Sequence, residues 1–394
     1  MTVDLTAVQL PLAWQEELYK DLHAHPELSM QETETLADIT RRLDEMGYDT
    51  ITVGGGVVGV LANGDGPTVL TRADFDALPV AEDTGLDYMS TVEGVMHACG
   101  HDMHVTCALG VAALLGEHRD AWRGTYLALF QPGEETAAGA ASMVADGLVD
   151  KVPRPDVCLG QHVMGMPAGQ VYIAPGAVMA TGDSITVTVF GVGSHGSMPH
   201  FGVDPVLLAS AIVMRLQTIV SRVIAPGDFG VVTVGSLHAG TKANVIGDRA
   251  VLELNVRAYH PEVRQKLLAS IEQIVRAECA ASGSPREPTF EYHDIFPPTN
   301  NDDALTATVR SALEAALGSD NVKTMPPATG SEDFSRIPDA FGVPYCFWTW
   351  GGFPEGEPPV ANHNPRFAPV IHPTIESGTR ALLAASLACL RGAR

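Results

Sequence analysis

The sequence predicts an α/β protein built on a mixed sheet, with a smaller ferredoxin-like α+β domain inserted into it. Three observations carry this. Apolar strand-like pieces alternate with helical stretches through the first part of the chain. Near Gly182 the pattern changes to two-residue alternation in the order strand, helix, strand, strand, helix, strand. After His293 the helix–strand alternation resumes. A chain of 394 residues also exceeds one ordinary core. The expected organisation is a discontinuous domain, 1–181 with 294–394, and an inserted domain, 182–293.

The elements follow in order. A helix runs from Ala7 to Ala24 and Pro26 stops it. Ser29 reads as the N-cap of the next helix, with Glu32 at the capping-box position, and Gly47 ends that helix. Val57–Ala62 and Thr68–Ala73 read as strands, and Gly54-Gly55-Gly56 as a loop lacking the rest of a phosphate-binding motif. His104–Glu117 is an apolar helix, Gly124–Gln131 a buried strand, Ala137–Asp146 a short helix, and Val157–Gly160 a short strand before His162. In the inserted domain the strands are Ser184–Gly191, Gly230–Leu237, Arg249–Tyr259 and Thr289–His293, with helices over Asp204–Arg222 and Pro261–Ser282. Helix Ala304–Leu317, strand Val343–Trp348, a Gly/Pro loop over Gly351–Pro359 and a helix from Ile375 complete the chain.

Composition excludes some function classes. Hydrophobic residues make up 45% and charged residues 18%, which is globular composition. A net charge of −23 opposes nucleic acid and anionic membrane as partners. The six cysteines (99, 107, 158, 279, 346 and 389) are scattered, as in a reduced cytoplasmic protein. The N-terminus lacks a basic region followed by an apolar core, and the apolar stretches Val105–Leu115 and Ala381–Leu390 are too short to span a bilayer.

The chemistry concentrates in His97-Ala98-Cys99-Gly100-His101-Asp102 and in Pro132-Gly133-Glu134-Glu135. Sulfur, imidazole and carboxylate together are the ligand set of a transition metal, and of two adjacent acids one can bind metal while the other moves protons. The glutamates follow an apolar strand directly, at the kind of strand end where α/β active sites sit. Gly100 lets Cys99 and His101 aim at one point, and Asp102 is placed to fix the histidine tautomer. His97 and His104 are weaker candidates. His162 and His363 also lie at strand or loop junctions, but no spacing ties them to the cluster. His195, in Gly193-Ser194-His195-Gly196-Ser197, reads either as part of an ordinary turn or as an oxyanion donor, and Arg257 either as a carboxylate clamp or as half of a buried pair. Ser194 and Ser331 lack the context of a serine nucleophile.

These residues carry a family resemblance. His25-Pro26-Glu27-Leu28-Ser29, Arg72 through Pro79, Met96 through Asp102 and Gln131 through Glu135 resemble the M20 metallopeptidase family, as do Ser194-His195-Gly196, Ala243 through Ile246, Gly330 through Phe334 and His363-Asn364-Pro365. Within it the chain is most similar to the N-acyl-amino-acid amidohydrolase branch of aminoacylases, hippurate hydrolases and plant auxin-conjugate hydrolases. Arg72 marks the branch, since peptidases and carbamoyl hydrolases of the wider family carry histidine there. Phe75, where Met is common, and Gly165, where Pro is frequent, are departures that touch no ligand.

The resemblance implies two divalent metals, zinc first with manganese or cobalt as alternatives, held by Cys99, His101, Glu135, His162 and His363. It implies Glu134 as general base, His195 as a group given to the partner's active site in dimers, and Asn244, Arg257 and Gly330 as substrate contacts. The inserted domain is then a lid or dimerisation domain, the substrate a small N-acyl amino acid, and the assembly a homodimer or dimer-based oligomer. A dipeptidase is the nearest rival, though no acidic group for a substrate amino terminus is evident. A non-catalytic amide-binding protein would not need Glu134 beside Glu135. A structural zinc site is normally a closed, cysteine-rich set.

Overall fold

The computed structural model describes residues 8–356, 358 and 360–391. It divides into two compact units, one of Met1–Val178, Asn300–Pro326 and Asp333–Arg394, the other of Met179–Thr299 and Pro327–Glu332. The short segment 327–332 thus packs with the inserted residues, whereas the sequence reading left it in the larger domain.

The first unit opens with α1 (Leu12–Ala24), whose expected start at Ala7 lies outside the described residues. In α2 (Glu34–Glu45) the expected capping box does not form. The Glu27 carboxylate instead accepts the N–H groups of Thr33, Glu34 and Thr35 at 3.0, 3.1 and 2.8 Å, placing negative charge at the positive helix end. Ser29 and Glu32 are thereby free for other partners. Strands β1 (Asp49–Val53) and β2 (Gly56–Asn63) form a hairpin. Its turn residues Gly54 and Gly55 have φ of 56° and 87°, so the expected loop is a two-residue glycine turn and β1 an unexpected strand.

There follow β3 (Thr68–Asp74), α3 (His101–Glu117), β4 (Gly124–Gln131), α4 (Gly139–Ala145), α5 (Leu148–Lys151), β5 (Val157–Pro167), β6 (Val171–Ile173) and β7 (Gly176–Met179). The inserted stretch contributes β8 (Gly182–Phe190), β9 (Ser194–His195), α6 (Pro205–Thr218), β10 (Gly230–Ala239), β11 (Val245–Ile246), β12 (Arg249–Ala258), α7 (Pro261–Ala281) and β13 (Thr289–Phe296). The chain closes with β14 (Thr299–Asn301), α8 (Asp303–Leu317), β15 (Val322–Thr324), α9 (Arg336–Phe341), β16 (Tyr345–Phe353) and α10 (Ile371–Leu390).

The first unit's sheet has the order β1-β2-β4-β3-β5-β16-β6-β15. Within it β4, β3, β5 and β16 run parallel, so their carboxyl ends gather on one side, where α/β proteins place their sites. Two strands outrun the sequence reading. β5 continues past Gly160 to carry His162 inside the strand, and β16 continues to Phe353 opposite Pro167. Gly351 permits this, because a Cβ there would meet the Pro167 carbonyl oxygen at 1.8 Å. Gly351–Phe353 is therefore strand, and not the start of a loop. α3 is buried nearly all round, which accounts for its apolar sequence.

The second unit's sheet is fully antiparallel, order β10-β12-β8-β13, which is ferredoxin-like topology. Leu208, Ile212 and Leu216 of α6 and Leu267 and Ile271 of α7 pack with Val187, Leu252, Leu254 and Val256 of the sheet. α6 starts where Pro205 follows Asp204, whose carboxylate accepts the Val206 N–H at 2.9 Å. Its outer face leaves Leu207 and Met214 exposed, 70% and 72%.

Candidate metal centre

Gly100 sets the geometry of the centre. It is the N-cap of α3 with φ 83°, and a Cβ on it would lie 2.3 Å from Val163 Cγ1. Only glycine tolerates both, and its left-handed turn directs Cys99 and His101 to one region. α3 begins at His101, three residues earlier than its sequence pattern suggests. From β5, His162 brings Nε2 to 3.5 Å from Cys99 Sγ, while its Nδ1 donates to the Val163 carbonyl at 2.7 Å. That bond leaves the Nε2 lone pair facing the thiol. From the turn after β4, Glu135 Oε1 lies 3.9 Å from His101 Nε2 and Oε2 lies 3.2 Å from His363 Nε2. His363 has φ 68°, and its backbone N–H bonds the Ala98 carbonyl at 2.7 Å, so two distant loops are joined here.

Ligand-type atoms fall within 4.8 Å of one another in the sets Cys99/His101/His162, Cys99/Glu135/His363 and His101/Glu134/Glu135. The five residues expected as ligands thus converge, with Glu134 beside them and buried. The donor set fits a cation by an independent observation. His101 Nε2 and Glu135 Oε1 are buried and have no hydrogen-bond partner among the described residues, although buried polar atoms are almost always paired. The electrostatics agree. Burial and then Glu135 hold the Cys99 thiol above its ordinary range. Burial opposes the His101 imidazolium, but Asp74 and Asp76 outweigh it and hold that ring well above its usual value. Cys99 and Glu135 push His363 up to about 10. A metal cation between these groups relieves the same excess of negative charge.

The supporting residues differ from the sequence reading. His101 Nδ1 faces Asp76 Oδ1 at 3.0 Å, so Asp76 fixes the tautomer. Asp102, expected in that role, instead binds His23 Nδ1 at 2.7 Å and accepts the Met103 N–H at 2.8 Å. His104 Nε2 accepts the Val163 N–H at 2.9 Å and its Nδ1 bonds Asp74, so both ring nitrogens are already bonded. His97 is buried in none of the ligand sets, and burial pushes it down to about 4. Arg72 is wholly buried, bonding Gln131 Oε1 at 2.9 Å, Asp74 Oδ2 at 2.6 Å and Asp333 Oδ1 at 3.0 Å. It ties the ends of β3 and β4 to the Asp333 loop. Asp74, Asp76, Gln131 and Asp333 were not singled out for roles in sequence. Asp74 and Asp76 flank Phe75 just past a predicted strand, which was the available signal.

The second unit gathers the remaining candidates in two places. β9 pairs with β11, setting His195 opposite Val245, and the Gly196 N–H bonds the Asn244 carbonyl at 2.8 Å. The Ser197 N–H donates to His195 Nδ1 at 3.1 Å, so Nε2 carries the proton and is an exposed donor. Arg257 Nε bonds Asn255 Oδ1 at 2.9 Å, and Nη1 bonds the Thr329 carbonyl at 2.8 Å and Ser331 Oγ at 2.9 Å. Its guanidinium therefore flanks Gly330 and, among the described residues, bonds neutral oxygens.

Comparison with known proteins agrees with this geometry. The model of peptidase family M20/M25/M40 matches residues 70–387. N-acetyl-L-cysteine deacetylase of Bacillus subtilis is 39% identical over 82% of this chain and 78% of its own. IAA-amino acid hydrolase ILR1-like 4 of Arabidopsis thaliana is 35% identical over 90% and 81%. Thermostable carboxypeptidase 1 of Saccharolobus solfataricus is 35% identical over 82% of each. Among solved structures, the Bacillus subtilis YXEP protein, described as a dinuclear metal binding peptidase of the M20 family, superposes with a TM-score of 0.81 at 30% identity, covering 97% of this chain and 99% of that one. The chain belongs to peptidase family M20/M25/M40, and it is a hydrolase of amide bonds.

Proposed function

We propose that this protein hydrolyses N-acyl-L-amino acids to a carboxylic acid and a free amino acid. The observation that carries the reading is the meeting of one thiol, three imidazoles and Glu135 beside a second, buried glutamate. Cys99, His101, Glu135, His162 and His363 would hold two divalent cations, zinc first on account of the sulfur ligand, manganese or cobalt otherwise. Bound there, such cations lower the pKa of a water and polarise the scissile carbonyl. Glu134 accepts the attacking water's proton and returns it to the leaving nitrogen. His195, given to the site of a partner subunit, would donate from Nε2 to the oxyanion as it forms there. Arg257 and the Gly330 backbone receive the substrate carboxylate, while Asn244, which lies with His195, is a separate substrate contact. Among the described residues Arg257 bonds neutral oxygens, which suits it to an incoming anion.

We assign the second unit the part of a lid and dimerisation domain. Pro205–Val223 is long and apolar enough to cross a membrane by length and composition, and only 28% of its most apolar 18-residue window is buried. It carries exposed Val206, Leu207, Met214 and Val220, and β10 lies at an edge of its sheet. A second copy pairing through β10 would cover both and close that edge of the sheet, with β13 left as the outer edge. Six free cysteines suit a reducing, cytoplasmic location.

Removal of a C-terminal residue from a peptide is a second reading, favoured by the carboxypeptidase relative. The test is a panel of N-acetyl-L-amino acids, their carboxamides and unblocked dipeptides, on protein of measured metal content. N-acetyl-L-amino acids are expected to exceed their carboxamides in kcat/KM by about 10²-fold or more, because a site built for a carboxylate is left unpaired by its absence. They are expected to exceed the dipeptides, which keep the carboxylate, because a charged amino terminus is costly to desolvate without an acidic partner. Equal or faster cleavage of dipeptides would replace the first reading with the second.

A further inference from the structure

The expected capping box fails for a reason that points to the site. Glu32 is buried in a loop whose neighbours Gln31 and Thr33 are exposed, and its Oε1 accepts the Gly133 N–H at 2.8 Å. Ser29 Oγ donates to Asp76 Oδ2 at 2.7 Å, and the same oxygen accepts the Glu135 N–H at 3.0 Å. Between them Met30 packs on Gly133 so closely that a Cβ there would lie 2.5 Å from its sulfur. The backbone amides on either side of Glu134 are thus held directly by two buried carboxylates, Glu32 and Asp76, the second of which also accepts from Ser29. A turn with φ 51° at Gly133 directs two adjacent glutamates to different tasks, and its orientation is fixed from outside the turn.

We propose that Glu32 is a positioning residue for Glu134, its carboxylate holding the Gly133 amide and so the turn from which Glu134 and Glu135 diverge. The inference rests on the reading of Glu134 as the base. Misplacement of a reacting group by about 1 Å costs on the order of 10²-fold in rate. Glu32→Gln keeps an acceptor oxygen at the same reach, and Glu32→Ala removes it.

The experiment compares both variants with wild type as full-length, metal-loaded enzyme. It reads kcat, KM and metal content, and amide hydrogen exchange of the 131–136 segment in the presence and absence of metal. Glu32→Ala is expected to lower kcat 10- to 100-fold with KM within about threefold and metal content unchanged. Exchange in the segment should accelerate about tenfold or more, and Glu32→Gln should stay within about threefold of wild type in every readout. The proposal is overturned if Glu32→Ala keeps wild-type kcat, if it loses metal or raises KM in proportion to its lost turnover, or if Glu32→Gln is equally impaired. Should Glu32→Ala not fold, Glu32→Asp takes its place, since the shorter chain withdraws the acceptor. Inactivity of wild type on every N-acyl amino acid would overturn the functional reading instead, and the exchange data would still decide whether Glu32 holds the turn.

Discussion

His23 is buried between two carboxylates, with Nδ1 2.7 Å from Asp102 and Nε2 3.2 Å from Glu82, and two tyrosine rings pack around it. Burial disfavours its charge, but the two acids outweigh burial and raise it from 6.5 to about 9. The raised value makes it a source of stability that is fully present below pH 6.5 and lost as pH rises through about 9. The size is on the order of 3 kcal/mol. Urea midpoints of wild type and His23→Gln should therefore differ most near pH 6 and converge above pH 9. A gap independent of pH would mean that His23 is not held as a cation. The same pair shows what one sequence conceals. Asp102 adjoins His101, yet it serves α1, and Asp76, far off in sequence, serves His101. Neighbours along a helix N-terminus point in different directions, so adjacency in sequence does not identify the hydrogen-bond partner.

At the scale of elements, the turn at Gly100 determines the centre. Gly100→Ala imposes a strained φ and a clash with Val163 on β5, next to His162. We expect a loss of about 1–3 kcal/mol in stability and a lower metal affinity, measured by thermal denaturation and by titration of metal-free protein with zinc. An unaffected affinity would show that the turn does not fix the ligands. Long, strongly patterned elements were legible in sequence: α7, α8, β4 and β12 lie close to where periodicity puts them. Elements fixed by tertiary partners were not. β1 exists because β2 pairs with it, and β16 extends because Gly351 admits the Pro167 carbonyl. Cys99, His101 and the glutamate pair stood out as a local motif. His162 and His363 could be tied to them only by resemblance, since the sheet that joins them is assembled from distant segments. Glu32 read as a cap and Arg72 as a branch marker, but their partners and that of Asp76 stayed hidden, because nothing in a buried carboxylate's or guanidinium's own sequence neighbourhood names its partner.

At the scale of the whole molecule, a net charge of −23 keeps chains apart in solution unless a specific apolar surface joins them. The exposed face of α6 is the apolar surface proposed for that contact. Leu207→Asp combined with Met214→Asp should convert a dimer to a monomer by light scattering while leaving bound metal unchanged, and turnover should fall if His195 acts across the dimer. A variant of unchanged mass would remove α6 from the interface. The central claim concerns the centre itself, that Glu134 moves the proton in a metal-assisted hydrolysis. Its most direct test is the turnover of Glu134→Gln on an N-acetyl-L-amino acid that wild type cleaves, at a metal content matched to wild type. The account predicts a fall of about 10²–10⁴-fold in kcat with metal retained. Turnover near the wild-type rate, with the metal in place, would contradict it.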